Sequence, residues 1–512
     1  MGRMNSASVP FPADAAVFRA PQISTPRPSV SSGEAWPVSI LGIPFDSVNV
    51  AGALGRIDAM IASRTPHYIV TANVDFLVQA HRDVELRRIL LEADLVLCDG
   101  TPLVWASRFL GNPLPERVAG ADLAPALLAH AAQRGHRVFL LGAAPGVAAQ
   151  AAGRIRAQFP TLEIAGHYAP RFAPLLEMDH AEITRQVRAA KPDILLVSFG
   201  CPKQEKWIAM HLRALGVPVA IGVGATIDFL AGRVRRAPEW MRRSGTEWLF
   251  RLALEPRRLF RRYCDDLLLF GPTFAAQALR FSRRSPSRDL TSAPTVTAGE
   301  NWRCIALGRA LTALTLRRDA EFWRDVARTP SHWLLDASAL RRFDATGIAA
   351  LARWQRQLRR AGRELVLLSP SPALRRALIA LRLDDFISFA SDAAEALRQL
   401  EAATAQKPVD SDHVARALAW RGEIGAANVE DVWRATSEHV SAFAAQNTRL
   451  VVVDLSELRF IDSAAAGLML RLKKWAQQLP VEIAFSGARP NVQNVLRLTR
   501  LDHLLLERSV NS

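Results

Sequence analysis

The chain has 512 residues, which at about 100–200 residues per domain is enough for three or four domains. Hydrophobic residues make up 49% and charged residues 22%, as in ordinary globular proteins, but the formal net charge is +16. A surplus of this size favours an anionic partner: a nucleic acid, a membrane surface or a phosphorylated substrate. Composition alone does not choose among these three.

The spacing of the cysteines and the length of the apolar runs argue against a disulfide-rich, zinc-binding or membrane-spanning protein. Cys98, Cys201, Cys264 and Cys304 are far apart and form no Cys-x-x-Cys pair, so we expect neither a disulfide framework nor a zinc site. A reducing cytoplasm fits this pattern. We see no signal-peptide pattern and no apolar run of the roughly 20 residues that a membrane span needs. Any contact with a membrane is therefore expected at its surface.

The first half of the chain has the pattern of an α/β domain. Residues 1–34 are rich in Pro, Ser and Ala without periodicity, and we predict a disordered tail. From residue 35 to about 232, short β-rich runs alternate with helical stretches, which predicts a Rossmann-like fold with a largely parallel sheet. The predicted strands are His67–Thr71, Leu95–Cys98, Arg137–Leu141, Glu163–Tyr168, Asp193–Phe199 and Val219–Val223.

The next segment is basic and aromatic. Residues 233–284 contain thirteen arginines and five acidic residues, a net charge of +8. Such a stretch fits a solvated surface, a nucleic-acid arm or a helix that lies on a membrane. We assign 233–275 as a basic helical appendage that completes a first domain over 35–275, and 276–298 as a linker.

The remainder of the chain contains an internal repeat. Residues 334–347 (LLDASALRRFDATG) align with 452–465 (VVDLSELRFIDSAA) at a shift of 118 residues, and the register continues without a gap. This predicts two tandem copies of one small α/β domain, over 299–402 and 408–512.

Polar motifs follow the predicted strands, where ligands bind in parallel α/β sheets. Thr71-Ala-Asn73 and Asp99-Gly100 follow two of these strands, and the turn Gly142–Gly146 follows a third. Each has a plain alternative. The glycine-rich turn presents N–H groups to a phosphate or is an ordinary tight turn. Asp99 is a functional carboxylate or the cap of a helix that begins at Thr101-Pro102.

Taken together, the motifs carry a family resemblance. TANVDFL, DLVLCDG, PERVAGADL, VFLLGAAPG, ILLVSFGCPKQEKWI, IGVGATIDFLAG, RRAPEWM and EWLFRLALEPRRLFRRY resemble those of the WecG/TagA/CpsF glycosyltransferases, family 26, over about 40–270. The resemblance implies a UDP-activated donor, N-acetylmannosamine, its uronate or a related sugar. It also implies an undecaprenyl-diphosphate-linked acceptor in cell-surface polysaccharide synthesis. We therefore expect an enzyme that is peripheral on the cytoplasmic face of the membrane.

The resemblance also assigns roles to residues. Asp99 matches the family's proposed catalytic base, Thr71 and Asn73 match active-site residues, and Gln204 matches a pocket glutamine. The expected UDP and diphosphate contacts are Arg251, Arg258, Arg261, Gly142 and Asp228. Residues 35–280 contain no Asp-x-Asp motif, so we expect no metal and no cofactor, with arginines supplying the positive charge. Inverting transfer then needs one base to deprotonate the acceptor hydroxyl.

The repeated domains resemble STAS domains, through LLDAS with FDATG and VVVDLS with FIDSAAAG. The resemblance implies docking of a protein partner, and phosphorylation of a Ser or Thr at a helix start. Thr346 occupies that position in the first copy, or is simply an unregulated helix residue. The second copy has Ala464 there, with Ser463 adjacent but out of register.

Two other functions compete with sugar transfer. One is a signalling or scaffold protein with an inactive transferase-like domain, which the presence of every proposed site residue disfavours. The other is nucleic-acid binding through the basic stretch. We expect no nucleic-acid partner, because no nucleic-acid-binding motif accompanies the arginines.

Overall fold

The computed structural model describes residues 35–234, 237–238, 240–241, 246–282, 293–299, 301–327, 331–405, 408–412, 417–446 and 448–506. Within these ranges the side chains of residues 258, 282, 402–405, 412 and 417 are not described. The tail predicted over 1–34 lies outside the described residues.

The first domain is built on a six-stranded sheet in which every neighbouring pair is parallel, in the order β4-β3-β8-β7-β5-β6. The predicted α/β class with a largely parallel sheet is confirmed, and each predicted strand is present to within about one residue at each end. Continuous apolar runs explain the central strands, which helices cover on both faces. The strands are β3 (His67–Ala72), β4 (Leu95–Cys98), β5 (Val138–Gly142), β6 (Ile164–Tyr168), β7 (Ile194–Ser198) and β8 (Val219–Gly222).

Helices follow these strands, and capping residues set several of their ends. Asn73 caps α2, Asp83 caps α3, and Gly135 ends α5 in the left-handed conformation. The helices are α1 (Val50–Ser63), α2 (Val74–Arg82), α3 (Val84–Glu92), α4 (Thr101–Phe109), α5 (Gly120–Arg134), α6 (Val147–Gln158), α7 (His180–Ala190), α8 (Lys203–Leu215) and α9 (Thr226–Leu230).

The basic appendage is helical, as predicted, but it is longer than predicted. It comprises α10 (Glu247–Leu254) and α11 (Pro256–Ser282), so helix continues through the first seven residues of the segment assigned as linker. Residues Thr295–Ala298 form a further strand, β9, which pairs with the sheet of the next domain. The linker prediction over 276–298 is therefore wrong at both ends, because long-range packing of Phe281 and strand pairing override a polar local composition.

The first STAS-like domain has a five-stranded sheet in the order β15-β14-β12-β10-β9. The small strands β11 and β13 pair separately. Its strands are β10 (Trp302–Ala306), β11 (Ala310–Leu311), β12 (His332–Asp336), β13 (Arg342–Phe343), β14 (Leu365–Leu368) and β15 (Ser388–Ala390). Its helices are α12 (Ala313–Arg318), α13 (Ala320–Ala327), α14 (Ala345–Arg360), α15 (Pro372–Ala380) and α16 (Ala393–Ala405).

The second copy repeats this plan, with a sheet in the order β16-β17-β19-β21. The equivalent helices α14 and α18 are each capped by an aspartate, Asp344 and Asp462, at the predicted shift. Its strands are β16 (Val409–Asp412), β17 (Ala417–Trp420), β18 (Gly422–Ile424), β19 (Leu450–Asp454), β20 (Leu458–Ile461) and β21 (Glu482–Ser486). Its helices are α17 (Val429–Ala445), α18 (Ser463–Ala476) and α19 (Pro490–Leu498).

A hairpin at the start of the described chain joins the first two domains. Strands β1 (Val38–Ile40) and β2 (Ile43–Phe45) pair antiparallel and pack against α14 of the first STAS-like domain. Their apolar side chains are fully buried. Across the described ranges, no helix combines the length and apolarity needed to cross a bilayer.

Candidate active site

The residues proposed from the sequence meet at the carboxyl edge of the parallel sheet. Thr71 lies near the end of β3, Asp99 directly follows β4, and Gly142 ends β5. Because parallel strands end at the same edge of a sheet, these three positions lie along one edge, with β8 and β7 between β3 and β5. The sheet therefore brings together motifs that are tens of residues apart in the chain.

Asp99 is held by the backbone rather than used as a helix cap. Its N–H donates to the carbonyl of Ala72, at 2.8 Å, and its side chain is half-buried. Helix α4 begins after Gly100, which has no side-chain capping bond, so the capping alternative is wrong. Burial raises the pKa of Asp99 to about 6, although Arg117 and Arg251 act to lower it. A carboxylate of this pKa is suited to general-base chemistry near neutral pH.

Thr71 and Asn73 are held by hydrogen bonds at the end of β3, the strand next to β4 and Asp99. The Thr71 hydroxyl donates to the carbonyl of Gly222, at 3.4 Å, which links β3 to β8. The Asn73 side chain accepts from the N–H of Phe76, at 3.2 Å, and so caps α2. A methyl group at Gly100 would lie 3.8 Å from the Cβ of Asn73, so Asn73 borders the Asp-Gly turn.

Ion pairs connect the appendage to Arg117, which lies in the segment between α4 and α5. Glu247 of α10 accepts from Arg117, at 2.9 Å, and from Arg251, at 2.7 Å. Arg117 also donates to Asp122, at 2.7 Å. Both arginines act to lower the pKa of Asp99, and contact of Arg251 with the diphosphate stays a prediction. Arg117 and Glu247 were not among the predicted site residues, although Arg117 lies in the motif PERVAGADL and Glu247 in EWLFRLALEPRRLFRRY.

The other appendage arginines are placed differently. Arg261 is exposed on α11, and the side chain of Arg258 lies outside the described part of the structure. Arg262, which the sequence analysis did not select, pairs with Asp75 of α2 at 2.8 Å. This pair fixes the start of α11 against the helix that follows Asn73. The assignment of Arg258 and Arg261 to the diphosphate stays a prediction.

Gln204 is buried and ties two loops of the site together. Its Oε1 accepts from the N–H groups of Gly200, at 3.2 Å, and Gly224, at 3.1 Å. Its Nε2 donates to Oε1 of the buried Glu205, at 2.7 Å. Because Glu205 accepts from the amide nitrogen, the amide oxygen is turned toward the two glycines. Gln204 therefore positions the loops that follow β7 and β8.

We predict that Glu205→Gln will lower the transfer rate about tenfold or more. A glutamine can donate as well as accept, so it no longer fixes the orientation of the Gln204 amide. Burial raises the pKa of Glu205 to about 7, so only part of it is charged at neutral pH. A hydrogen bond is worth roughly 0.5–1.5 kcal/mol between neutral groups and roughly 1.5–3 kcal/mol to a charged one, and about 1.4 kcal/mol changes a rate tenfold. The control is Glu163→Gln, which changes an exposed carboxylate directly before β6. The initial rates of the two variants would be compared. A wild-type rate in Glu205→Gln would contradict this role.

Gly142 serves a tight turn. Its φ is +100°, and a Cβ there would lie 2.5 Å from the carbonyl oxygen of Ser198. The N–H of the next residue, Ala143, already donates to that carbonyl at 3.0 Å. Only glycine fits this close approach.

Asp228 is half-buried on α9, where burial raises its pKa. Contact of Gly142 or Asp228 with UDP stays a prediction.

Thr346 is the second residue of α14 and is fully buried. Among the described residues, its hydroxyl oxygen has no hydrogen-bond partner. A kinase would reach this hydroxyl only if the helix end were uncovered. Phosphorylation at Thr346 stays a prediction.

The domain is a parallel α/β sheet with the carboxylate of Asp99 at its carboxyl edge and Arg117 and Arg251 near it, a Rossmann-like architecture. The chain belongs to the WecG/TagA/CpsF glycosyltransferase family, whose pattern matches residues 38–284, and it is a glycosyltransferase. The STAS domain family described as Mlab matches residues 306–389 and 408–507.

Curated relatives share the first domain. An N-acetylglucosaminyldiphosphoundecaprenol N-acetyl-beta-D-mannosaminyltransferase of Bacillus spizizenii is 35% identical over 218 residues, which is 43% of this chain and 80% of the relative. A protein of the same name from Staphylococcus aureus strain NCTC 8325 is 30% identical over 226 residues, 44% of this chain and 87% of the relative.

Proposed function

We propose that this glycosyltransferase moves N-acetylmannosamine, its uronate or a related sugar from UDP to an undecaprenyl-diphosphate-linked saccharide. The reaction inverts the anomeric centre, uses no metal, and serves cell-surface polysaccharide synthesis. The names of the relatives support the class of sugar and acceptor. The observation that carries the proposal is Asp99, a half-buried carboxylate of raised pKa at the carboxyl edge of the sheet.

In the proposed reaction, Asp99 removes the proton from the acceptor hydroxyl as its oxygen attacks the anomeric carbon. The bond between that carbon and the UDP oxygen breaks, and UDP leaves with the electron pair. A single displacement of this kind needs one base on the face opposite the leaving group. The pKa of about 6 keeps most of the Asp99 carboxylate deprotonated at neutral pH.

Arginines supply the charge that the departing diphosphate requires. Arg251 and Arg117 are held on either side of Glu247, close enough to Asp99 to act on its pKa. A guanidinium presents forked N–H donors that match phosphate oxygens. We propose that both turn toward the diphosphate when substrate binds, with Arg258 and Arg261 completing the set.

The appendage is also the proposed membrane contact. Leu254, Phe260, Leu267 and Leu268 are exposed large apolar side chains on α10 and α11. Exposed arginines, among them Arg261, lie in the same helices. Apolar side chains interleaved with arginines suit an anionic bilayer surface, where the lipid-linked acceptor resides. We therefore propose that the enzyme works peripherally on the cytoplasmic face.

The test is transfer by the purified full chain from a panel of UDP-sugars to an undecaprenyl-diphosphate-GlcNAc analogue. We expect transfer from UDP-N-acetylmannosamine or its uronate, with an inverted anomeric configuration in the product by NMR. We also expect an unchanged rate in EDTA. A rate abolished by EDTA and restored by Mg²⁺ would overturn the metal-free mechanism, and a retained configuration would overturn the single displacement.

A further inference from the structure

The two STAS-like domains contact the transferase domain in physically different ways. The first shares one continuous apolar core with it, in which Trp36 lies edge-on to Trp354 with ring centroids 6.0 Å apart. The second has an apolar core of its own. Among the described transferase residues, only Val84 and Leu176 pack against that second core, and both are partly buried.

Polar contacts hold the second domain in place instead. Glu85 of α3 accepts from the N–H of Ser463, at 2.6 Å, and from its hydroxyl, at 2.8 Å. Ser463 is the first residue of α18, and both residues are fully or almost fully buried. Lys206 of α8 completes the cluster, 2.8 Å from both Glu85 and Asp83.

Two further contacts surround this cluster. Arg88, one turn along α3, pairs with Glu423 of the second domain at 2.7 Å. Asn494 of α19 donates to the carbonyl of Arg82, at 3.1 Å, and accepts from the N–H of Val84, at 3.3 Å. The second domain therefore contacts the start of α3, and it also contacts the first STAS-like domain, where Glu423 pairs with Arg359 and Asn491 donates to Asp385 at 3.1 Å.

The cluster also lies close to the active-site loops. Lys206 is in the first turn of α8, two residues after the Gln204 that binds the N–H groups of Gly200 and Gly224. Glu85, which binds the start of α18, is thus connected, through Lys206 and α8, to both loops.

Apolar cores join domains permanently, whereas small polar interfaces within a chain open and close. We propose that the second STAS-like domain is a releasable clamp on α3, and that the start of α18 is a carboxylate-binding surface filled by Glu85 of the same chain. The first STAS-like domain stays attached when the clamp opens.

The test is amide hydrogen exchange on the full chain carrying Ser463→Asp, which adds another carboxylate against Glu85, beside that of Asp462. We expect exchange to rise about tenfold or more in α3, in the first turn of α18 and at residues 200–206. Exchange in β12 of the first STAS-like domain and in α17 should stay at the wild-type rate. The matched control is Ser437→Asp, a substitution of the same kind on α17, away from the interface.

The double variant Ser463→Asp with Glu85→Gln removes the like-charge repulsion and lets the glutamine amide donate to the new carboxylate. We expect it to restore protection of α3 and of residues 200–206. Wild-type exchange of α3 in Ser463→Asp alone would overturn the proposal. If Ser463→Asp also exposed α17, restoration by Glu85→Gln would support the clamp, and failure to restore would overturn it. None of these readouts depends on sugar transfer.

Discussion

Replacement of Asp99 by asparagine is expected to lower the rate of sugar transfer by roughly 10²–10⁴, the usual contribution of a positioned general base. Asparagine preserves the shape of the side chain but does not take a proton from the acceptor hydroxyl. Because the backbone N–H of Asp99 still donates to Ala72, the thermal midpoint should change little. The measurement is the initial rate with saturating donor and acceptor.

The matched control is Asp502→Asn, an exposed aspartate in the second STAS-like domain, which should transfer at the wild-type rate. Full activity in Asp99→Asn, with a retained fold, would show that another group is the base. The pair of variants also separates a chemical effect from a general effect of removing one negative charge.

The pH dependence of the same reaction follows from the raised pKa of Asp99. Its folded-state pKa is about 6, above the ordinary 3.8, so the carboxyl is mostly protonated below about pH 6. Since the base acts only when deprotonated, the rate should fall tenfold for each pH unit below that value and level off above it. An acid limb centred near pH 4 would contradict the burial that we assign to this group.

Replacement of Trp354 by alanine is expected to have the largest effect on stability. Trp354 is buried against Trp323, with ring centroids 4.2 Å apart, and against Trp36 and Trp333, each 6.0 Å away. Loss of a buried Trp side chain costs about 3–5 kcal/mol of the free energy of unfolding. Because Trp36 belongs to the transferase domain, the loss should destabilise both domains together.

Urea denaturation tests this shared core by two signals, transfer activity and far-UV circular dichroism. In Trp354→Ala we expect both to be lost at a lower urea concentration, with activity falling as early as helical structure. Ile379→Ala, on the exposed face of α15, should change the free energy by less than about 0.5 kcal/mol. If activity kept its wild-type midpoint, the two domains would be independent.

Much of the fold, and the place of the site within it, could be predicted from local sequence patterns. The six strands of the transferase sheet stand in continuous apolar runs bounded by polar turns, so their existence and approximate ends were predictable. Asp99, Thr71 and Gly142 lie at or directly after the ends of such strands, and parallel topology then places them at one edge. The repeat shift predicted that Asp344 and Asp462 would be equivalent, and each caps the corresponding helix.

Other features depend on residues that are far apart in the sequence. The linker prediction failed because Phe281 packs on Phe343, and Thr295–Ala298 finds a strand partner that no local window contains. The appendage was recognised as basic, but its attachment through Glu247 to Arg117 joins residues 130 apart. The orientation of the Gln204 amide likewise needs the coordinates of Gly200 and Gly224 together.

The sequence by itself determined the elements, the edge at which the site lies and the family, because these follow from side-chain periodicity and ordered motifs. Only the tertiary structure decided how the domains join. The transferase domain and the first STAS-like domain share an apolar core that contains the N-terminal hairpin and Trp354. The second STAS-like domain is joined through Glu85 and Ser463, which are 378 residues apart and form two hydrogen bonds. Periodicity shows which faces are apolar, but packing geometry decides which apolar face or buried charge meets which partner.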